Sequence, residues 1–231
     1  MKKIGLIGGM SWESSQVYYK ILNELVRDRL GGFHSCKCLM ESVDFAEIEA
    51  LQHKDDWNRL NEMMAQAAKT LEKGGADLII LGTNTMHLCA PEIEAATDIP
   101  FLHIAQATGE RIAGQGLTKV LLLGTRFTME SDFYQKTLNQ GFGLETVVPN
   151  AEDRLKVHQI IYRELVQGKI LSASRKVLQK IVEQNLDRGI EGVILGCTEI
   201  PLLIGPDDLS LPIFDTTRIH AEAAVEWALR I

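Results

Sequence analysis

Proline-rich linkers, low-complexity tracts and blocks of like charge are all missing from this chain, so no flexible hinge between separate modules announces itself. Long apolar runs are missing too, and no stretch approaches the ~20 residues of a membrane span. The opening MKKIGLIGGMSW starts like a signal peptide, but its apolar run stops within a few residues at a glycine pair. The expected location is therefore the cytoplasm, with no membrane partner. Cysteine is sparse, at Cys36, Cys38, Cys89 and Cys197. These scattered thiols are too few to frame a chain of 231 residues with disulfides, and reduced thiols are the default in that compartment. Positive charge is outweighed: 24 Lys and Arg face 31 Asp and Glu, a formal net charge of −7. That sign argues against a nucleic acid or an anionic membrane as partner.

What is present is an ordinary globular composition in a chain long enough for one large domain or two small ones with real cores. Short apolar strands are expected at Lys3–Ile7, Cys36–Glu41, Asp77–Leu81, Lys119–Leu123, Gly192–Leu195 and Leu211–Phe214. Between them lie helical patterns at Trp57–Leu71, Asp153–Val166 and Ser172–Asn185, the first striped by Leu60, Met63, Met64, Ala67 and Leu71. Strands alternating with helices imply an α/β protein with parallel sheet and helices on its faces.

An internal repeat organises these elements. K-I-G-L-I-G-G-M, with S-x-x-Y-Y-K later, echoes K-V-L-L-L-G-T-R, with S-D-F-Y-Q-K later, and aligns Gly8 with Gly124 at an offset of 116. G-A-D-L-I-I-L-G-T-N-T echoes G-I-E-G-V-I-L-G-C-T-E, and aligns Thr83 with Cys197 at an offset of 114. Two pairs in the same order, spaced by half the chain, indicate duplication. In parallel α/β sheets the ligand site lies beyond the carboxyl ends of the strands. Gly8-Gly9-Met10-Ser11, Gly82-Thr83-Asn84-Thr85, Gly124-Thr125-Arg126 and Gly196-Cys197-Thr198-Glu199 all fall at such ends. If the halves face each other across a pseudo-twofold axis, Thr83 and Cys197 serve opposite faces of one carbon.

Cys197 has two readings on the residues alone. A free cysteine after a buried strand is commonly a small core hydrophobe. Its place past the strand end, beside Thr198 and Glu199, suits a reactive thiol whose pKa a helix N-terminus would lower. His34, Cys36 and Cys38 resemble metal ligands on one strand face, but no partner cluster follows. A buried strand is the preferred reading, and no metal is expected. Cys89 reads as helix packing. Gly5–Gly9 lacks the G-x-G-x-x-G spacing of a dinucleotide site. His87, His103 and His220 lie near loop or strand ends, where a lone histidine more often satisfies a local hydrogen bond than lines a pocket. Asp44 and Glu47 read as a capping box, which explains Asp44 better than it explains Gln52 in the same segment.

G-G-M-S-W-E-S near the N-terminus, L-G-T-N-T-M-H around Thr83 and L-G-C-T-E-I-P around Cys197 resemble the aspartate/glutamate racemase family, over essentially the whole chain. The resemblance is nearest to its broad-specificity or L-aspartate/glutamate types. It implies two pseudo-symmetric flavodoxin-like halves with the active site between them, residues 1–105 plus 215–231 and residues 106–214, assembled as a homodimer. It implies racemisation of a small-molecule amino-acid substrate without PLP or any other cofactor. Two cysteines flank the α-carbon in that family, and Cys197 matches the second. Asn84, Thr85 and Thr198 match positions that bind the α-carboxylate, and Met10 and Ser11 lie on the first loop lining the pocket. Gln52 falls where a residue reads the side-chain carboxylate. Thr125, Glu164 and Glu199 complete the expected substrate-binding set.

Two departures bear on substrate choice: no basic residue aligns near Gln52, and the substrate contact near Glu164 is not fixed by the motif. The sharper departure is Thr83, which stands where the family has its first cysteine. A hydroxyl is a far weaker acid than a thiol, so catalysis is expected to favour L-Asp and L-Glu over the D forms. A single thiol also suits a malonate-type decarboxylase or a cis–trans isomerase on the same scaffold. A non-catalytic binding protein for acidic amino acids is the remaining alternative.

Overall fold

A computed structural model describes residues 1–230. In chain order its elements are β1 (Ile4–Gly8), α1 (Trp12–Leu30), β2 (Cys38–Ser42), α2 (Phe45–His53), α3 (Trp57–Lys73), β3 (Leu78–Leu81), α4 (Ala90–Ala96), β4 (Phe101–Leu102) and α5 (Ile104–Ala113). There follow β5 (Lys119–Gly124), α6 (Arg126–Glu130), α7 (Phe133–Phe142), β6 (Glu145–Val147), α8 (Ala151–Arg163), α9 (Ser172–Glu183), β7 (Gly192–Gly196), β8 (Ile213–Asp215) and α10 (Thr216–Leu229). The chain forms two compact units: Met1–Ile104 with the C-terminal stretch from His220, and Ala105–Ile219.

The first unit holds a parallel sheet of order β2-β1-β3-β4, and the second a parallel sheet of order β6-β5-β7-β8. The order is the same in both, as a duplicated sequence requires. In each sheet successive crossovers leave the first strand on opposite sides, which puts a topological switch point between β1 and β3 and another between β5 and β7. The strands β4 and β6 have no counterpart among the expected strands. They are two and three residues long and sit at or next to sheet edges, too short to carry an apolar run.

The central strands are apolar throughout because both faces of each sheet are covered. In β1 and β3 of the first unit the side chains alternate. Ile4, Leu6, Leu78 and Ile80 pack with Tyr18, Leu22 and Val26 of α1 and with Ala221, Ala224 and Val225 of α10. Ile7, Ile79 and Leu81 pack on the other face with Leu60, Met64, Ala67 and Leu71 of α3. Each such aliphatic side chain contributes about 1.5–3 kcal/mol by leaving water. The expected stripe on α3 is the buried one, except that Met63 stays partly exposed. Asp44 caps α2 as expected, but its carboxylate accepts from Ala46 N at 3.1 Å rather than from Glu47 N as the expected capping box requires. The helix expected at Asp153–Val166 instead starts at Ala151, where the Asn150 side chain accepts from Asp153 N at 2.9 Å.

Past β1 the backbone has to turn under β2. Gly9 adopts φ +94°, and a Cβ there would lie 2.1 Å from the Val43 carbonyl oxygen. Gly116 has a comparable φ of +74° but open space around it. Gly9→Ala is therefore expected to cost more than ~2 kcal/mol of stability, against ~1 kcal/mol for Gly116→Ala. Urea unfolding of the two variants checks this, and equal losses contradict it.

Candidate active site

At the end of β7 the chain continues as Cys197, Thr198 and Glu199, all buried, before a single 3-10 turn at Ile200–Leu202. The Cys197 Sγ–H donates to Glu199 Oε2 at 2.9 Å, and Thr198 Oγ1 donates to the same oxygen at 3.1 Å. This overturns the sequence expectation of an acidified thiol. Burial, then the Glu199 charge and its hydrogen bond, hold the Cys197 pKa well above the ordinary value. Backbone N–H groups of Glu199 and Ile200 pull the other way and lose, because one short turn supplies little dipole. The resting group is a protonated thiol hydrogen-bonded to a carboxylate. Burial also pushes Cys36 up to about 11, and Cys38 and Cys89 to about 12. What sets Cys197 apart is its partner, not its acidity.

Thr125, at the end of β5 in the same unit, caps α6, its hydroxyl accepting from Thr128 N at 3.2 Å. Glu164 lies where α8 ends, and its carboxylate accepts from Ser174 of α9 at 2.5 Å. Both residues are thus engaged in local structure.

In the first unit the loops after β1 and β3 are tied together by serines. Ser11 caps α1, accepting from Ser14 N at 3.3 Å, and its carbonyl accepts from Ser14 Oγ at 2.9 Å and Ser15 Oγ at 3.0 Å. Ser15 Oγ accepts from Gly9 N at 2.7 Å, and Ser14 Oγ also reaches the Gly82 carbonyl at 3.2 Å. Neither Ser14 nor Ser15 was anticipated; their i+3 and i+4 spacing from Ser11 was the available signal. Met10 is buried in the apolar cluster that includes Ile48 and Met86.

Thr83 is half-buried and precedes buried Asn84 and Thr85, which open a 3-10 turn ending at Cys89. Gln52 reaches this turn from α2, with Nε2 donating to Met86 Sδ at 3.2 Å. Its buried Oε1 finds no hydrogen-bond partner among the described residues. A thioether is a weak acceptor, so this buried amide is under-satisfied, the kind of group that needs an explanation. The structure thus brings Met10, Ser11, Gln52, Thr83, Asn84 and Thr85 to one end of the first sheet, and Cys197, Thr198 and Glu199 to the same end of the second.

His87 and His220 are buried in the first unit, and His103 is half-buried. His87 accepts from Ile104 N at Nε2, 3.1 Å, so its Nδ1 carries the hydrogen and donates to the Thr83 carbonyl at 2.7 Å. His220 Nε2 donates to the Leu102 carbonyl at 2.8 Å, and its Nδ1 accepts from the Tyr18 hydroxyl at 2.9 Å. Burial holds His103 and His220 at about 4 and His87 well below its usual value, with repulsion from His103 adding to the shift at His87 and His220. Among the described residues no cluster of three or more potential ligands could hold a metal ion, and no helix is long and apolar enough to cross a membrane.

Two parallel sheets of one order, with glycine-initiated polar loops at their carboxyl ends and a buried thiol–carboxylate pair in one of them, define a duplicated α/β enzyme framework. The family model for Asp/Glu/hydantoin racemases matches residues 7–224, and the chain belongs to that family. The family's relatives are named as amino-acid racemases, isomerases by class. The chain is 29% identical over 174 residues to the broad-specificity amino-acid racemase RacX of Bacillus subtilis, covering 75% of this chain and 74% of that one. It is 48% identical, with a TM-score of 0.94 and full coverage of both chains, to the crystal structure of a candidate Asp/Glu racemase from Yersinia pestis. A crystal structure of an aspartate racemase homologue from Pyrococcus horikoshii superposes with a TM-score of 0.87 at 40% identity, again over both whole chains.

Removing the Glu199 charge should ease ionisation of the thiol. Glu199→Gln is therefore expected to raise the rate of Cys197 alkylation by iodoacetamide at pH 8 by about tenfold, one pKa unit or more. Peptide mass spectrometry resolves Cys197 from the other three cysteines. An unchanged or slower rate contradicts the assigned role of the carboxylate.

Proposed function

We propose that this protein racemises acidic amino acids, with L-Asp and L-Glu the favoured substrates, using side chains alone. The observation that carries the reading is the hydrogen bond from the Cys197 thiol to Glu199. A thiol is a base for an α-proton only as thiolate, and the bonded carboxylate is the acceptor at hand for its proton, an uphill transfer because the same charge raises the thiol pKa. The ammonium group of the substrate favours the same step by placing positive charge beside the new anion.

In the proposed sequence Glu199 takes the Cys197 proton, and the thiolate takes the α-proton of the L-substrate. The carbanion that results is delocalised into the α-carboxylate, which Asn84, Thr85 and Thr198 hold by hydrogen bonds. A proton then arrives on the opposite face through the Thr83 hydroxyl, which is replenished from water. Glu199 returns its proton to solvent, so charge and protons balance over the cycle. The Gln52 Nε2, whose acceptor is the weak Met86 thioether, supports recognition of a substrate with a second carboxylate, a far better acceptor for that N–H₂. Met10 and Ser11 shape the adjoining wall. Thr125 and Glu164, engaged in capping and in the bond to Ser174, are assigned outer positions in this reading.

Because the two enantiomers have equal energy, kcat/KM must be the same in both directions. The asymmetry then lies in kcat, with KM for the D form lower by the same factor. Each enantiomer of Asp and Glu, supplied separately at saturation with chirality followed, is expected to show faster turnover from L. Cys197→Ala is expected to bring the rate to background, and Glu199→Gln to lower it by about 10²–10⁴-fold. Equal kcat from both enantiomers would sink the one-thiol reading. CO₂ release or double-bond isomerisation without α-hydrogen exchange would replace it with other chemistry on this scaffold.

A further inference from the structure

Thr83 is held by its two neighbouring carbonyls. The Gly82 carbonyl accepts from Ser14 Oγ at 3.2 Å, and the Thr83 carbonyl accepts from His87 Nδ1 at 2.7 Å. These are the peptide groups on either side of the Thr83 Cα, so fixing both fixes φ and ψ there and hence the direction in which the Thr83 side chain leaves the backbone. The two bonds differ in kind. The serine is a rotating hydroxyl shared with the Ser11 carbonyl, whereas the imidazole is a rigid ring fastened at both ends. Its far end accepts from the backbone N–H of Ile104, the first residue of α5 and the last of the first unit before the chain enters the second.

We infer that His87 is a positioning residue for proton delivery at Thr83: it orients the Thr83 hydroxyl by clamping that residue's carbonyl, with Ile104 as anchor. The role needs a neutral ring, since both nitrogens are committed, one as donor and one as acceptor. Burial and the neighbouring His103 and His220 keep it neutral. The ring edges of His103 and His220 lie against it, with ring centres 4.7 and 5.8 Å away, and Phe101 covers it at 5.5 Å. The ring therefore has little freedom to turn away from the carbonyl it holds. A buried histidine that served packing alone would not have to carry its hydrogen on the nitrogen facing the Thr83 loop.

This inference rests on the proposed role of Thr83, and the test separates the two. L-Glu is incubated in D₂O, and deuterium is measured both in recovered L-Glu, which reports return from the Cys197 face, and in D-Glu, which reports delivery from the Thr83 face. Thr83→Ala tests the underlying reading by itself. If it leaves the ratio of inversion to retention unchanged, Thr83 has no role and the inference falls with it. Given a lower ratio in Thr83→Ala, two amide variants of similar size test His87. Asparagine presents its N–H₂ where Nδ1 stands, and glutamine reaches the Nε2 position. His87→Asn is expected to keep the ratio within about twofold of the parent, while His87→Gln lowers it about tenfold with deuterium in L-Glu little changed.

Ser14→Ala, which removes the other clamp with a small change in volume, is expected to lower the ratio in the same direction, and it stands in should His87→Gln fail to fold. A parallel fall of both deuterium signals in His87→Gln, or an unchanged ratio in both His87→Gln and Ser14→Ala, overturns the inference. General loss of structure lowers the two signals together and cannot produce a change in their ratio.

Discussion

A buried thiol hydrogen-bonded to a buried carboxylate is the constraint on which the proposed chemistry turns. Glu199 Oε2 takes hydrogen bonds from both Cys197 and Thr198, so the carboxylate is satisfied without water and the thiol is held un-ionised. A desolvated thiolate beside a desolvated carboxylate would be two like charges in a medium that screens them poorly. The thiol at rest is therefore un-ionised. In the proposed reading it becomes reactive when a cationic ammonium group arrives, which ties generation of the base to the presence of the substrate.

Duplication supplied two equivalent frameworks, and the sequence then treated them differently. Both sheets have the same strand order, and in both the central strands run out at glycines, Gly8 and Gly82 in one and Gly124 and Gly196 in the other. Around Gly196 the polar groups are Cys197, Thr198 and Glu199 of the following segment and the Thr216 hydroxyl of α10, which donates to the Leu195 carbonyl at 2.9 Å. Around Gly82 they belong to scaffolding: serines of α1 and an imidazole from the following turn, which fix backbone carbonyls. In the proposed reading a hydroxyl group cannot match a thiol in acidity, so its usefulness depends more heavily on exact placement.

The parts of the fold that could be read from the sequence were those with local causes. β1, β3, β5 and β7 showed as apolar runs because both of their faces are buried, and the shared strand order followed from the repeat. The short strands β4 and β6 were not visible, since a two- or three-residue strand draws its stability from its neighbour and not from its own residues. Cys197, Thr198 and Glu199 were legible as a polar segment past a strand end, but the direction of the Cys197 pKa shift was not. That sign depends on how deeply the thiol is buried and on which way the Glu199 side chain folds back. His87 showed only as a histidine near a strand end, because its meaning lies in a bond to Ile104, 17 residues further on. Gln52 was suggested by resemblance, while the weakly accepted Nε2 that gives it physical weight required the packed turn around Met86.

The central claim is that turnover is asymmetric because one face of the substrate meets a thiol and the other a hydroxyl. Thr83→Cys tests it most directly, with initial rates measured from each enantiomer of glutamate at saturation. The expected result is a kcat from D-Glu that rises toward the kcat from L-Glu, with the ratio of the two KM values moving toward one by the same factor. A ratio of the two kcat values that stays where it was in the parent enzyme would contradict the claim.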